Sequence, residues 1–179
     1  GNISLTSGGP MSLGNSANLD TQVSGDAGSG ANVFLQSDSG ITGGTLAARA
    51  FLDGSTLSSG ATVTVKAAND VSLADLSGQG SGLDLSVALA NGSHSGTGGN
   101  ISVTIGGNLS ADSITARIRG LGAITTGGNI DFNITGDLAS ARGDASFVID
   151  GPQISGNGPH AVGNPASILV RAANITLGD

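Results

Sequence analysis

The sequence contains no cysteine, tryptophan, tyrosine or glutamate, and it has only 4 phenylalanines and 4 prolines in 179 residues. Without cysteine, disulfides, cysteine-ligated zinc and a thiol nucleophile are excluded. The absence of glutamate and the single lysine, Lys66, remove residues that favour helices. The net charge is −7 with no cluster of basic residues, which argues against binding nucleic acid or an anionic membrane surface. No apolar run approaches the ~20 residues of a membrane helix, so we expect no membrane insertion.

Glycine, by contrast, is abundant, at 32 residues. Collagen would need it at every third position with much more proline. A disordered linker is the other glycine-rich option, but disordered chains lack apolar residues and this one is 37% hydrophobic. Its apolar residues also alternate with polar ones, which is typical of strands with one buried face. The clearest such runs are Ile3–Leu5, Val63–Val65, Ile101–Ile105 and Ile130–Ile134.

These strands recur about every 30 residues, with two longer spacings of about 38. A second apolar column follows eight positions after each start, although the sixth copy has Ile175 one residue early. A third alternating run follows at a looser offset in each complete copy. The predicted starts are Ile3, Val33, Val63, Ile101, Ile130 and Ile168, and the second column is Met11, Ile41, Val71, Leu109 and Leu138.

This repeat predicts an all-β fold, a right-handed parallel β-helix with about 30 residues and three short strands per coil. Residues 1–179 would form a single β-helix segment of five coils plus a partial sixth. We expect that segment to belong to a longer repeat array, because no polar cap is visible at either end. The competing fold is a sandwich or barrel of antiparallel hairpins, which would not require apolar columns in register.

A column of amides and hydroxyls precedes the first strand of each copy. Stacked side chains of this kind can form a hydrogen-bonded ladder along the axis. The alternative interpretation is that asparagine simply tolerates the turn conformation. The predicted corner ladder consists of Asn2, Asn32, Thr62, Asn100, Asn129 and Ser167.

Two long linkers, 90–99 and 151–165, account for the two longer spacings. They contain Asn91, within an Asn-Gly-Ser sequon, and the two histidines, His94 and His160. Insertions in solenoids often map to one face, so we predict that these three residues mark a surface-loop patch. A metal site shared by the two histidines would need further ligands.

The run at 98–110, Gly-Gly-Asn-Ile-Ser-Val-Thr-Ile-Gly-Gly-Asn-Leu-Ser, is echoed at 127–138. This pattern resembles bacterial secreted β-helix repeats, namely filamentous-haemagglutinin-like exoproteins of two-partner secretion and autotransporter passenger domains. The resemblance covers nearly the whole chain, although the coils here are longer. It implies a non-catalytic structural or adhesive segment of a large extracellular or cell-surface protein. Implied partners are neighbouring coils of the same parent chain or end-to-end copies, and host or environmental glycans and surfaces.

Two other functions stay open at this point. A carbohydrate-active β-helix enzyme would need carboxylates converging on one face, whereas the aspartates here lie mostly in turns, with Arg142 and Asp144 near a possible groove by Asp112. A self-assembling extracellular filament subunit is the other. No cofactor is expected, but aspartate and glycine turns offer oxygen ligands for calcium. The run Gly80-Ser-Gly-Leu-Asp84-Leu matches the core of a calcium-binding nonapeptide, but a single copy favours a turn followed by a strand.

Overall fold

The computed structural model describes residues 1–24, 30–53, 60–74, 82–89, 94–95, 99–120, 123–124, 128–150 and 166–178. These residues form strands and turns, and no described segment is a helix suited to crossing a membrane. The strands are β1 (Asn2–Ser7), β2 (Met11–Ser12), β3 (Ser16–Ser24), β4 (Asn32–Ser37), β5 (Ile41–Gly43), β6 (Thr45–Asp53), β7 (Thr62–Ala67), β8 (Val71–Leu73), β9 (Leu83–Leu89), β10 (His94–Ser95), β11 (Asn100–Ile105), β12 (Leu109–Ala111), β13 (Ile114–Gly120), β14 (Ala123–Ile124), β15 (Asn129–Ile134), β16 (Leu138–Ser140), β17 (Ala145–Asp150), β18 (Ser167–Arg171) and β19 (Ile175–Leu177).

Three parallel sheets run along the molecule. The first two take one strand from each of the six coils, and the third takes one strand from each of the first five. The first sheet has the order β1-β4-β7-β11-β15-β18, the second β2-β5-β8-β12-β16-β19 and the third β3-β6-β9-β13-β17. Neighbouring strands in each sheet pair parallel, so each coil lies directly on the one before it. The parallel β-helix with three strands per coil is therefore confirmed, and the antiparallel alternative is excluded. Its right-handed winding stays a prediction.

The strand register aligns the apolar columns that the sequence predicts. Ile3 pairs with Val33, and the same column continues through Val63, Ile101 and Ile130 to Ile168. In the second sheet Ile175 pairs with Leu138 despite its early position in the sequence. A turn that is one residue shorter between β18 and β19 absorbs the difference, so the buried column continues into the last coil.

The core lies inside the coils, between the three sheets. Alternate side chains of each strand point inward, as a period of two requires, and the central coils bury them almost completely. Phe132 and Leu35 are fully buried. The same columns open at both ends of the stack, where Leu5 is 39% exposed and Ile175 is 54% exposed. These residues point inward but have a neighbouring coil on one side only.

A few polar side chains also enter the interior, where they bind turns of adjacent coils. The hydroxyl of Ser37 lies 2.8 Å from the Gly9 carbonyl oxygen and 3.0 Å from that of Gly40. The hydroxyl of Ser140 similarly reaches the Asp112 and Asp144 carbonyl oxygens, at 3.2 and 3.3 Å. A buried hydroxyl is tolerated only when hydrogen-bonded, so these serines tie consecutive turns together.

Candidate functional site

The six residues of the predicted corner ladder form one column on the first sheet. Asn32 pairs with Asn2 in the coil before and with Thr62 in the coil after. Its Nδ2 donates to Asn2 Oδ1 at 2.9 Å, and its Oδ1 accepts from Thr62 Oγ1 at 2.6 Å. The amide thus uses its donor toward one coil and its acceptor toward the other, which is the pattern of a ladder.

The same pattern appears in the later coils of this column. Asn129 Nδ2 donates to Asn100 Oδ1 at 3.1 Å, and Ser167 Oγ donates to Asn129 Oδ1 at 2.7 Å. Between the two halves, Thr62 and Asn100 are joined through the strand register and not by a side-chain hydrogen bond in the described residues. A threonine hydroxyl carries one proton, and Thr62 donates it to Asn32.

A second column of side chains, which was not predicted from the sequence, precedes the strands of the second sheet. Asp70 Oδ1 accepts from the Asn108 backbone N–H at 2.7 Å, and Asn108 Oδ1 accepts from the Asp137 N–H at 2.8 Å. Asn174 Nδ2 then donates to Asp137 Oδ1 at 2.7 Å. The signal was an aspartate or asparagine immediately before β8, β12, β16 and β19. Two corners of each of these coils are therefore hydrogen-bonded along the axis.

Most of the charged side chains on the outer faces are paired between coils. Arg49 Nη2 lies 2.7 Å from Asp84 Oδ2, and this hydrogen bond is the main cause that raises the pKa of Arg49 above its ordinary value. Arg117 and Arg119 both approach Asp150, at 3.6 and 3.7 Å. The arginine side chains of these pairs are about half exposed, so the pairs link coils and contribute little stability individually.

Arg171 and Lys66 also have neighbours on the outer face of the first sheet. Arg171 Nη1 lies 3.8 Å from Asp131 Oδ1, and Lys66 Nζ lies 5.8 Å from the ring centroid of Phe34. Arg171 and Asp131 occupy different columns, since Asp131 pairs with Leu169 and Arg171 pairs with Asn133 in the strand register.

A groove of about 490 Å³ opens where the second sheet turns into the third in coils four and five. It contains Arg142 and Asp144, the pair for which the sequence suggested a groove, and both are exposed. Ser113 and Thr115 of the preceding coil line its other side. The groove therefore combines a cation, a carboxylate and hydroxyl groups from two coils.

The predicted loop patch lies largely outside the described residues. Asn91 and His160 are not among them, and of His94 only the backbone is described. That backbone belongs to β10, which pairs parallel with β14 of the next coil in a fourth, two-stranded sheet. This small sheet was not predicted, because its two segments share no sequence pattern. In the described part of the chain no group of three or more metal-ligating side chains comes together.

Comparisons with family models, with curated proteins and with solved structures found no match to this chain.

Proposed function

We propose that this chain is a non-catalytic structural and adhesive segment of a large secreted or cell-surface bacterial protein. The observation that carries the proposal is the register that continues without a break from Asn2 to Ser167 through all six coils. With strands about 4.8 Å apart, six coils make a rod about 25 Å long that presents its outer faces to a partner. Side-chain ladders at two corners stiffen such a rod along its axis.

Adhesion can be tested with beads that carry the folded chain. We expect these beads to be retained on surfaces coated with polysaccharide or with host-cell material, more than beads carrying an inert protein. The control is a Val103→Asp variant, because Val103 is fully buried and a carboxylate there disrupts the fold. Equal retention of the folded and disrupted proteins would mean that an unfolded chain causes the adhesion, and the proposal would then be rejected.

A carbohydrate-active enzyme is the second candidate, because the groove holds Asp144 beside Arg142. Most glycoside hydrolases require two carboxyl groups about 5–9.5 Å apart. Among the described residues that line the groove, Asp144 is the only carboxylate, which favours binding over cleavage. Release of reducing ends or unsaturated products from pectin-type polymers, lost in Asp144→Asn, would instead support the enzyme.

A self-assembling filament is the third candidate, and it depends on the open apolar columns. Leu5 in the first coil and Ile168 in the last are 39% and 47% exposed although both belong to inward columns. A second copy stacked in register would bury such residues and pair the outermost strands. Sedimentation velocity over a wide range of concentration tests this candidate, since a filament subunit must form larger species as concentration rises.

A further inference from the structure

The groove in coils four and five is shaped by the link between β16 and β17. This link holds its backbone tightly, since Arg142 N donates to the Asp112 carbonyl oxygen at 2.9 Å. Gly143 adopts a φ of +76°, and a Cβ at this position would meet the Gly178 carbonyl oxygen of the next coil. Only glycine readily combines a positive φ with the absence of a Cβ. The turn therefore depends on Gly143, and it holds the two flanking residues, Arg142 and Asp144, at the groove.

Arg142 differs from the other arginines of the described residues. Arg49, Arg117, Arg119 and Arg171 each lie within 3.8 Å of an aspartate, whereas the Arg142 guanidinium has no ion pair or hydrogen bond with any other residue that the structure describes. The carboxylate of Asp144 also has no side-chain hydrogen bond or ion pair in the part of the chain that the structure describes, although its backbone oxygen accepts from Ile114. The groove therefore contains a guanidinium and a carboxylate that have no side-chain partner among the described residues.

Hydroxyl groups complete the polar lining of the groove. Ser113 and Thr115 belong to coil four, and Ser146 pairs with Thr115 across the register. A hydroxyl both donates and accepts hydrogen bonds, a guanidinium only donates, and a carboxylate only accepts. Such a set complements a ligand whose own groups both donate and accept at close spacing, which describes the neighbouring hydroxyls of a sugar.

We propose that this groove, built from Ser113, Thr115, Arg142, Asp144 and Ser146, binds a neutral saccharide unit. Its volume of about 490 Å³ lies within the range of small-molecule sites. Because the charges of Arg142 and Asp144 cancel, an acidic sugar would gain no net attraction from the groove. It would have to avoid the Asp144 carboxylate, and it would be repelled by the overall field of a chain that carries −7. A neutral sugar meets neither cost.

Affinity for a single unit should be weak because the site is open to water. Its contacts are mainly polar, and each replaces a hydrogen bond to water, so the net gain per contact is small. A Kd in the millimolar range is expected, with little dependence on salt because the ligand carries no charge. Many copies of the site on one surface would be needed for firm attachment. A saccharide bound here would be the ligand of the proposed adhesive segment. In this respect the inference rests on the proposed function.

The test is titration of the isotopically labelled chain with cellohexaose, maltohexaose and mannohexaose, followed by backbone amide NMR. We expect at least one of these neutral probes to shift the amides of residues 113–115 and 142–146. Arg142→Gln and Asp144→Asn should each weaken that binding about tenfold. The matched controls are Arg171→Gln and Asp131→Asn, which alter a half-exposed arginine and a half-exposed aspartate of the same stack outside the groove and should leave the binding unchanged.

Three outcomes would overturn the inference: no shifts from any neutral probe at millimolar concentrations, shifts that Arg142→Gln leaves intact, or tighter binding of polygalacturonate than of every neutral probe. Bead adhesion measured with Arg142→Gln separates this inference from the broader function. Adhesion that persists without saccharide binding would reject the groove and retain the adhesive segment. Saccharide binding without adhesion of the beads would retain the groove and reject the adhesive segment.

Discussion

Phe132 and Phe147 meet edge to face inside the fifth coil, with ring centroids 4.9 Å apart and planes 84° apart. They belong to the first and third sheets, so their contact holds two sides of the same coil together. Phe132 is fully buried. Phe132→Ala should lower the free energy of unfolding by about 3–5 kcal/mol, through lost burial and the remaining cavity. Urea unfolding followed by far-UV circular dichroism measures this, since the chain lacks tryptophan and tyrosine.

Phe34→Ala is the matched control for that substitution. Phe34 is also in the first sheet, but it points outward and lies near Lys66 rather than in the core. Losing this contact should cost about 0.5–1 kcal/mol. Equal losses for the two variants would contradict the arrangement of inward and outward columns.

The corner ladder is interrupted between Thr62 and Asn100, and a substitution that closes this gap should stabilise the fold. Thr62→Asn would place an amide between Asn32 and Asn100, with a donor for the first and an acceptor for the second. We expect a gain of about 0.5–1.5 kcal/mol in the free energy of unfolding from the added hydrogen bond. Thermal and urea unfolding of Thr62→Asn against the unmodified chain measure it.

Asn100→Ala, made in both backgrounds, isolates the new bond. Its cost should be larger when residue 62 is asparagine, and the difference should match the gain from Thr62→Asn. If Asn100→Ala costs the same in both backgrounds, the ladder does not extend through this corner.

The architecture could be predicted because its determinants are local and repeat. A period of two indicates a strand with one buried face, and the constant offset from Val33 to Ile41 and from Val63 to Val71 indicates stacked coils. Ile175 looked displaced by one residue in the sequence but pairs with Leu138, because a shorter turn restores the register. Turn length was the information that the apolar pattern lacked.

The groove could be anticipated only in part. Arg142 and Asp144 are two residues apart in the sequence, and their chemistry suggested a possible groove. The contribution of Ser113 and Thr115 depends on which coil lies beneath them, which is a property of the strand register. That Arg142 has no ion pair among the described residues depends equally on where the aspartates of the neighbouring coils lie. The groove lining and the partners of Arg142 depend on which residues of neighbouring coils come close in space, and residue spacing in the sequence does not predict this.

Three glycines separate the cost of a positive φ from the cost of a close contact. At Gly8 a Cβ would have open space, and φ is not positive. At Gly14 a Cβ would also have open space, but φ is +65°. At Gly143 φ is +76°, and a Cβ would also meet the Gly178 carbonyl oxygen. Alanine should be close to neutral at Gly8 and should cost about 1–2 kcal/mol at Gly14. It should cost clearly more at Gly143, where the backbone of the next coil must move. Urea unfolding midpoints of the three alanine variants test this order, and a smaller loss at Gly143 than at Gly14 would contradict the close approach of the last coil.

The Arg49–Asp84 ion pair should contribute to stability without making it dependent on pH near neutrality. A cation whose pKa is raised on folding stabilises the fold fully below its unfolded value, and the contribution is lost as the pH rises through the folded value. For Arg49 the unfolded pKa already lies far above neutrality, and the hydrogen bond to Asp84 raises the folded pKa further. The stability that Arg49 contributes should therefore be constant between about pH 7 and 11.

A double-mutant cycle with Arg49→Gln and Asp84→Asn measures the coupling energy of this pair. The Arg49 side chain is 50% exposed, so we expect a coupling of about 0.5 kcal/mol that decreases as salt is added. The matched cycle uses Arg171→Gln and Asp131→Asn, whose charged atoms lie 3.8 Å apart rather than 2.7 Å. Its coupling should be smaller, because the longer distance forms no hydrogen bond. A coupling at Arg49 that is insensitive to salt, or one that changes with pH within that alkaline range, would show that another group titrates with the pair.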